Sequence, residues 1–376
     1  MEATGPLSDE GLVQLLDVDG TRVADPDWEP YAAHLTPDAL RLAWRLMTIT
    51  RAFDAEATSL QRQGELGLWV SCLGQEAAQI GSGTAVREPD YVFPSYREHG
   101  VALTRDIDLP QMLTLFRGLE HGSWDPVAHS FHLYTLVIGA HSLHATGYAM
   151  AMDRDGLVAS GSPDKDGAVI CYFGDGATSQ GDVNEALVFA SVNNAPIVFF
   201  VQNNQFAISE PTTRQSRVPL AQRADGFGIP RVRVDGNDVI AVHAVTQWAL
   251  RHARAGQGPV LIEAFTYRMA SHTTSDDATR YRTRADEEKW RQRDPIERLK
   301  KHLDALGELP QEFRDAVTAE TKALGKRTRE TVKSWERPAL LTMFDHVYAE
   351  PHQQVESERA WFDRYQQSFL DEGSHA

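Results

Sequence analysis

Cysteine is nearly absent from this chain: Cys72 and Cys171 stand far apart among 376 residues. Neither lies in a CxxC or CxxH spacing, which excludes a disulfide-built scaffold and argues against a thiolate metal centre. Long apolar runs are missing too. The longest, Ala195 to Val201, falls far short of the ~20 residues that a membrane-spanning helix needs. Met1 to Gly20 is acidic and lacks the basic stretch and apolar segment of a secretory leader. Positive charge is also scarce, with 37 Lys and Arg against 53 Asp and Glu and a formal net charge of −16. Nucleic acids and anionic membranes both call for a basic face, so neither is an expected partner. What remains is an ordinary globular composition, 42% hydrophobic and 24% charged, expected in the cytoplasm. The length suits two domains, or one large α/β domain with helical additions.

The chain begins with an arm-like stretch, residues 1–35, that mixes Gly, Pro and Asp with a short apolar piece, LVQLL. A helix start follows. Thr36 is a good N-cap, Pro37 takes the first helical position and Asp38 favours the positive helix end. Leu40, Ala43, Trp44 and Met47 recur at helical spacing and predict one buried face. From Gly64 to Gly100, glycines and prolines punctuate loops around a short helix near residues 75–86. Residues 167–173 (GAVICYF) and 196–202 (PIVFFVQ) are continuous apolar runs, which suit strands buried on both faces. Between them, residues 182–194 show helical spacing at Ala186, Leu187, Phe189 and Ala190. Strand, helix, strand is a βαβ unit with parallel strands and a right-handed crossover. Residues 259–265 (PVLIEAF) predict a further buried strand, followed by a polar stretch to Arg282. From Pro295 onward the sequence is charged and helical.

Ligands of parallel sheets bind outside the carboxyl ends of the strands. Two polar clusters fall there: Gly174-Asp175-Gly176 after one strand and Asn203-Asn204 after the next. One crossover helix joins those strands, so Asp175 and Asn204 come to the same edge. A carboxylate and an amide oxygen are hard ligands suited to magnesium or calcium. The flanking glycines permit close backbone approach, and the helix that follows offers free amides to an anion. Together they describe a site for a metal-bridged diphosphate. A dinucleotide site fits less well, since GDGATS lacks the third glycine of GxGxxG and no Walker lysine motif occurs.

The stretch GDGATSQGDVNEALVFASVNNAPIVFFVQNNQFAISEP resembles the thiamin-diphosphate motif of 2-oxo acid dehydrogenase complexes, in the alpha subunit of their decarboxylating component. GQEAAQIGSG, VFPSYREHG, VDGNDV, TYRMASHTTSDDATRYR and MFDHVYAE extend the resemblance over most of the chain, in family order. It implies an α/β thiamin-diphosphate-binding fold, a mostly parallel sheet flanked by helices, with helical N-terminal and C-terminal additions. The implied divisions are an arm at 1–35, the cofactor-binding domain at 36–294, and a helical region at 295–376 packing on the core.

The resemblance also implies roles. Asp175, Asn204 and the carbonyl of Phe206 would bind magnesium. Tyr96 and Arg97 would contact the diphosphate, with Ile138, Gly174, Gly176, Ala177 and Gln202 among the other cofactor contacts. Part of the family has arginine in place of Gln202. His272 would face the cofactor and act as the catalytic acid–base group, its imidazole titrating near neutrality. Its loop, Ser271 to Arg282, is poor in apolar residues and expected to be mobile without cofactor. Departures are His141, where glutamine is usual near the aminopyrimidine, and Ser271, where a first histidine is usual. The glutamate that activates the cofactor belongs, in this family layout, to a separate beta subunit. The implied assembly is an alpha2–beta2 heterotetramer on a lipoyl-bearing dihydrolipoyl acyltransferase core. The implied reaction is oxidative decarboxylation of a 2-oxo acid, of the branched-chain 3-methyl-2-oxobutanoate type first, with acyl transfer to lipoamide. A pyruvate dehydrogenase or acetoin dehydrogenase alpha subunit, and a non-catalytic diphosphate–magnesium module, are the alternatives.

Overall fold

The computed structural model describes residues 11–373, so the first ten residues of the expected arm lie outside the described residues. One compact unit runs through Lys333 and a second begins at Ser334. In the first, α1 (Glu29–Ala32) and α2 (Pro37–Arg62) lead into α3 (Glu76–Gly83), β1 (Tyr91–Phe93), α4 (His99–Thr104) and α5 (Leu109–Arg117). Then come α6 (Ala140–Arg154), β2 (Val169–Gly174), α7 (Gly181–Val192) and β3 (Ile197–Asn203). A small hairpin, β4 (Phe206–Ala207) and β5 (Glu210–Pro211), precedes α8 (Thr212–Gln215), β6 (Arg231–Asp235), α9 (Val239–Arg254) and β7 (Val260–Phe265). Helices α10 (Arg284–Arg291), α11 (Pro295–Ala305) and α12 (Gln311–Ser334) follow. The second unit holds α13 (Gln353–Gly373), with a 3-10 turn at Leu340–Phe344 whose Phe344 ring lies 5.9 Å from that of Phe362.

Five parallel strands form the main sheet, in the order β1-β2-β3-β7-β6. Strands β2, β3 and β7 match the three apolar runs. All seven residues of β3 are buried, as a strand covered by helices on both faces must be. The α2 start is as expected, with Thr36 Oγ accepting from Ala39 N at 3.3 Å and Leu40, Ala43, Trp44 and Met47 buried.

Some sequence expectations change. α7 buries Val183, Ala186, Leu187 and Ala190, while Phe189 turns outward. A 3-10 turn at Asp175–Ser179 separates β2 from α7, so α7 begins too late to place its first amides beside Asp175. Strand β6 carries arginines and was not evident from periodicity. Within the apolar piece near the N-terminus, Val13 N donates to Arg233 O at 2.9 Å and Asp235 N to Val13 O at 3.0 Å. Leu15 and Leu16 are fully buried beside it.

Candidate active site

Four strand ends deliver the site. Tyr96 and Arg97 follow β1, Asp175 to Ala177 follow β2, Asn204 and Phe206 follow β3, and Arg268 and His272 follow β7. Because the strands are parallel, all four ends open on one edge of the sheet. A cavity of about 270 Å³ lies there. Each residue assigned from sequence, Tyr96, Arg97, Ile138, Gly174, Asp175, Gly176, Ala177, Gln202, Asn204, Phe206 and His272, is on its wall.

Asp175 is 1% exposed. Its Oδ2 accepts from Gln215 Nε2 at 2.7 Å and, more weakly, from Thr212 Oγ1 at 3.5 Å. Burial pushes the carboxyl up to about 6, against the pull of the Gln215 hydrogen bond and the Arg268 charge. Asn204 Nδ2 donates to Gln75 Oε1 at 3.1 Å, which fixes the amide and directs its oxygen to the other side. The Phe206 carbonyl accepts from Arg268 Nη1 at 2.9 Å and keeps a second lone pair. Gly176 has a Cβ direction only 2.7 Å from the Ala207 Cβ, so the turn has no room for a side chain.

This donor set suits a hard divalent cation: one carboxylate, one amide oxygen and one carbonyl, with no sulfur. Among the described residues no group of three or more His, Cys, Asp or Glu is placed to hold a metal. A cation here therefore leans on anionic oxygens from a bound ligand. The walls suit such an anion. Arg97 and Arg268 are both buried, and Arg268 Nε and Gln75 Nε2 have no hydrogen-bond partner among the described residues.

His272 sits between those guanidiniums. Its Nδ1 lies 3.2 Å from Arg97 Nη2 and 3.5 Å from Arg268 Nη1, and its carbonyl accepts from Arg97 Nη2 at 3.0 Å. Two cationic donors on Nδ1 make that nitrogen the acceptor and leave the ring proton on Nε2. Burial, then the charges of Arg97 and Arg268, push the imidazole down to about 3. The ring is thus neutral in the protein alone, rather than titrating near its ordinary value. The Tyr96 ring stands edge-on to it at 6.4 Å.

The loop that carries His272 is tied by polar contacts. His272 N donates to Asp276 Oδ2 at 2.7 Å, and Tyr281 OH bonds the same carboxylate. Thr274 and Trp69 exchange two bonds of 3.0 Å. Arg282, its side chain 4% exposed, donates to the carbonyls of Arg268, Met269 and Ala270 and pairs with Glu287 at 2.9 Å. Apolar composition underestimates how firmly this loop is held.

Several wall residues escaped the sequence reading: Gln75, Glu98 and Arg268. Gln75 sits in the GQEAAQIGSG segment and Arg268 in TYRMAS, so the motifs flagged their neighbourhoods without giving them roles.

A parallel α/β sheet whose carboxyl edge gathers an acid, an amide and two buried guanidiniums defines the class, an α/β fold with a ligand cavity at the strand ends whose walls suit an anion. The chain belongs to the dehydrogenase E1 component family, whose profile matches residues 44–340. Members of that family generally depend on thiamin diphosphate. Over 346 residues the chain is 42% identical to the 3-methyl-2-oxobutanoate dehydrogenase subunit alpha of Mycobacterium tuberculosis, covering 90% of this chain and 92% of that one. It is 35% identical over 346 residues to the pyruvate dehydrogenase E1 component subunit alpha of Staphylococcus epidermidis and of Staphylococcus aureus, covering 92% of this chain and 90% of theirs. An alpha subunit implies a beta partner in such enzymes. Among the described residues no helix is long and apolar enough to cross a membrane.

Proposed function

We propose that this chain is the alpha subunit of a cytoplasmic 2-oxo acid dehydrogenase that decarboxylates a branched-chain 2-oxo acid of the 3-methyl-2-oxobutanoate type and passes the acyl group to lipoamide. The observation that carries the substrate choice is the 42% identity to a 3-methyl-2-oxobutanoate dehydrogenase subunit alpha, against 35% for pyruvate dehydrogenase alpha subunits. The cavity supports the cofactors, thiamin diphosphate with magnesium, through its donor set. Asp175, Asn204 and the Phe206 carbonyl would hold the cation, and Tyr96, Arg97 and Arg268 the diphosphate. Ile138, Gly174, Gly176, Ala177 and Gln202 shape the wall. When bound, thiamin diphosphate supplies the electron sink for loss of carbon dioxide.

This chain's residues do the rest by placement. Arg97 holds His272 at Nδ1 and at its carbonyl, so the ring presents a proton at Nε2. The two buried guanidiniums compensate anionic charge, which they do more strongly than surface groups would because they are shielded from solvent. Among the described residues the one glutamate on the cavity wall is Glu98, and both of its oxygens are engaged by Ser95, Arg97 and Gln202. No free glutamate is left on the wall among the described residues, which supports a beta subunit as the source of one; the alpha2–beta2 assembly and its docking on a lipoyl-bearing acyltransferase core belong to the same proposal.

The test is assay of the chain, reconstituted with its beta partner, on 3-methyl-2-oxobutanoate and on pyruvate. A kcat/KM at least about tenfold higher for the branched acid is expected. A preference for pyruvate moves the assignment to the pyruvate-type subunit.

A further inference from the structure

Behind the Tyr96–Arg97 pair lies a closed circuit of buried amides and one carboxyl, of which Gln202 alone has so far been given a part in the cofactor wall. Gln79, Gln202 and Glu98 are each 2% exposed or less. Gln79 Oε1 accepts from Gly100 N at 2.8 Å, and its Nε2 donates to the Arg97 carbonyl at 2.9 Å and to Gln202 Oε1 at 3.3 Å. Both ends of the Gln79 amide are therefore set by backbone, an N–H on one side and a carbonyl on the other. That fixes Gln202 in turn. Its oxygen faces Gln79, so its amide nitrogen faces Glu98 and donates to Oε1 at 2.6 Å. Glu98 Oε2 then accepts from Ser95 N at 2.7 Å, Ser95 Oγ at 2.8 Å and Arg97 N at 3.3 Å.

The circuit starts and ends on the backbone around Tyr96 and Arg97, and it has one polarity throughout. Every group that meets Glu98 is a donor, so this position calls for an acceptor at both oxygens, which only a carboxylate offers without rearrangement. We infer that Glu98 is a positioning residue, whose carboxylate closes a directional hydrogen-bond ring with Gln79 and Gln202 and thereby aims Tyr96 and Arg97 at the anionic end of the ligand. The inference rests on the proposed function for the identity of that ligand. Among the described residues the cation that acts on Glu98 is Arg97, and the charge of Glu98 in turn raises Tyr134, Cys171 and Tyr172 on the other packed elements. Burial pushes the carboxyl above its ordinary range, and the Ser95 and Arg97 donors pull it back. A buried polar ring is stabilising when complete and costly when one member is mismatched. Gly100 keeps the ring closed, since a Cβ there meets the Gln79 side chain at 3.1 Å.

Polarity makes the inference testable by exchange. Glu98→Gln sets an amide nitrogen against either Gln202 Nε2 or the Ser95 and Arg97 donors. Gln202→Glu sets two carboxylates face to face. The double exchange, Glu98→Gln with Gln202→Glu, restores donor-to-acceptor order at every link, and the total charge is unchanged. The experiment is equilibrium titration of the reconstituted alpha–beta assembly with thiamin diphosphate and magnesium, alongside unfolding midpoints without cofactor. Each single exchange is expected to weaken cofactor binding at least tenfold, and the double exchange to bind more tightly than either single one. A residue that merely fills space shows no such reciprocal rescue. A double exchange that fails to bind more tightly than both single variants, or Glu98→Ala binding as wild type does, overturns the ring. A wild-type assembly that binds no thiamin diphosphate overturns the proposed function itself and, with it, the purpose assigned to the ring.

Discussion

His272 is governed by its two arginine neighbours more than by its own chemistry. With Nδ1 accepting from Arg97 at 3.2 Å and the ring pushed down to about 3, the neutral Nε2–H tautomer persists across the ordinary pH range. In the cofactor-free protein, nuclear magnetic resonance of the ring protons should therefore show no titration of His272 between pH 5 and 8. A transition near 6.5 assigned to His272 contradicts this geometry. His272→Ala in the reconstituted enzyme should keep metal and most cofactor affinity and lose turnover by ~10²-fold, the scale of a positioned acid–base group. Asp54 gives a second residue-level test, on stability. It is buried, accepts from Trp69 Nε1 and Ser71 Oγ at 2.6 Å each, and burial pushes it up to about 6. A carboxyl raised above its unfolded value, roughly 3.9, binds more protons folded than unfolded in the window between the two. Its contribution to stability is therefore greatest at low pH and falls as pH rises from about 4 to about 6. Asp54→Asn should remove a loss on the order of 3 kcal/mol across that window. Unfolding midpoints of the two proteins from pH 4 to 7 decide it: parallel curves refute the assignment.

Elements were legible where one signal dominated. β2 and β3 are apolar runs closed by Gly or Asn, β7 is an apolar run broken only by Glu263, and the α2 start carries a cap, a proline and a periodic face, so sequence alone places these three strands and that helix start within two residues. β6 was hidden because Arg231, Arg233 and Asp235 alternate with valines and look solvated. The structure buries Arg233 against Glu263 of β7 at 3.1 Å and ties Asp235 to Arg298 at 2.9 Å, long-range pairings that no local pattern announces. β1, three residues long, is too short to show a period. The site follows the same division. Asp175 and Asn204 were readable because they directly end apolar strands, whereas Glu98 and Arg268 were not, since one charged letter says nothing about burial. The loop after β7 repeats the lesson, with its anchors polar rather than apolar. Trypsin acting on the cofactor-free assembly should spare the bond after Arg282, whose guanidinium is enclosed by three carbonyls. Arg282→Ala removes those anchors, and cleavage after the exposed Arg280 should then rise several-fold. Equal cleavage in both proteins means the anchors do not hold the loop.

At the scale of the whole molecule, the chain carries signs of being one part of a larger catalyst. On α7, Val188, Phe189 and Val192 are exposed, Val192 at 80%, and on the neighbouring α6 Tyr148 is 41% exposed. Large apolar groups exposed on a helix are unfavourable in water, and burying them against another chain would relieve that cost. Among the described residues, the one glutamate on the cavity wall, Glu98, is committed to the ring around Arg97. Both features are answered at once if a beta subunit covers this helical face and brings an acidic group to the cofactor ring. The purified chain alone, with thiamin diphosphate and magnesium, should then show no decarboxylation, and activity should appear on titration with the beta partner. Phe189→Glu tests the surface separately from the chemistry. It adds charge on an exposed position, so the fold and its unfolding midpoint should stay close to wild type. Sedimentation of the mixed subunits should nonetheless show the assembly weakened by at least tenfold, since a carboxylate is then taken into an apolar contact without a partner. Wild-type assembly in that variant places the partner elsewhere, and turnover by the lone chain at the rate of the mixture removes the need for a partner altogether.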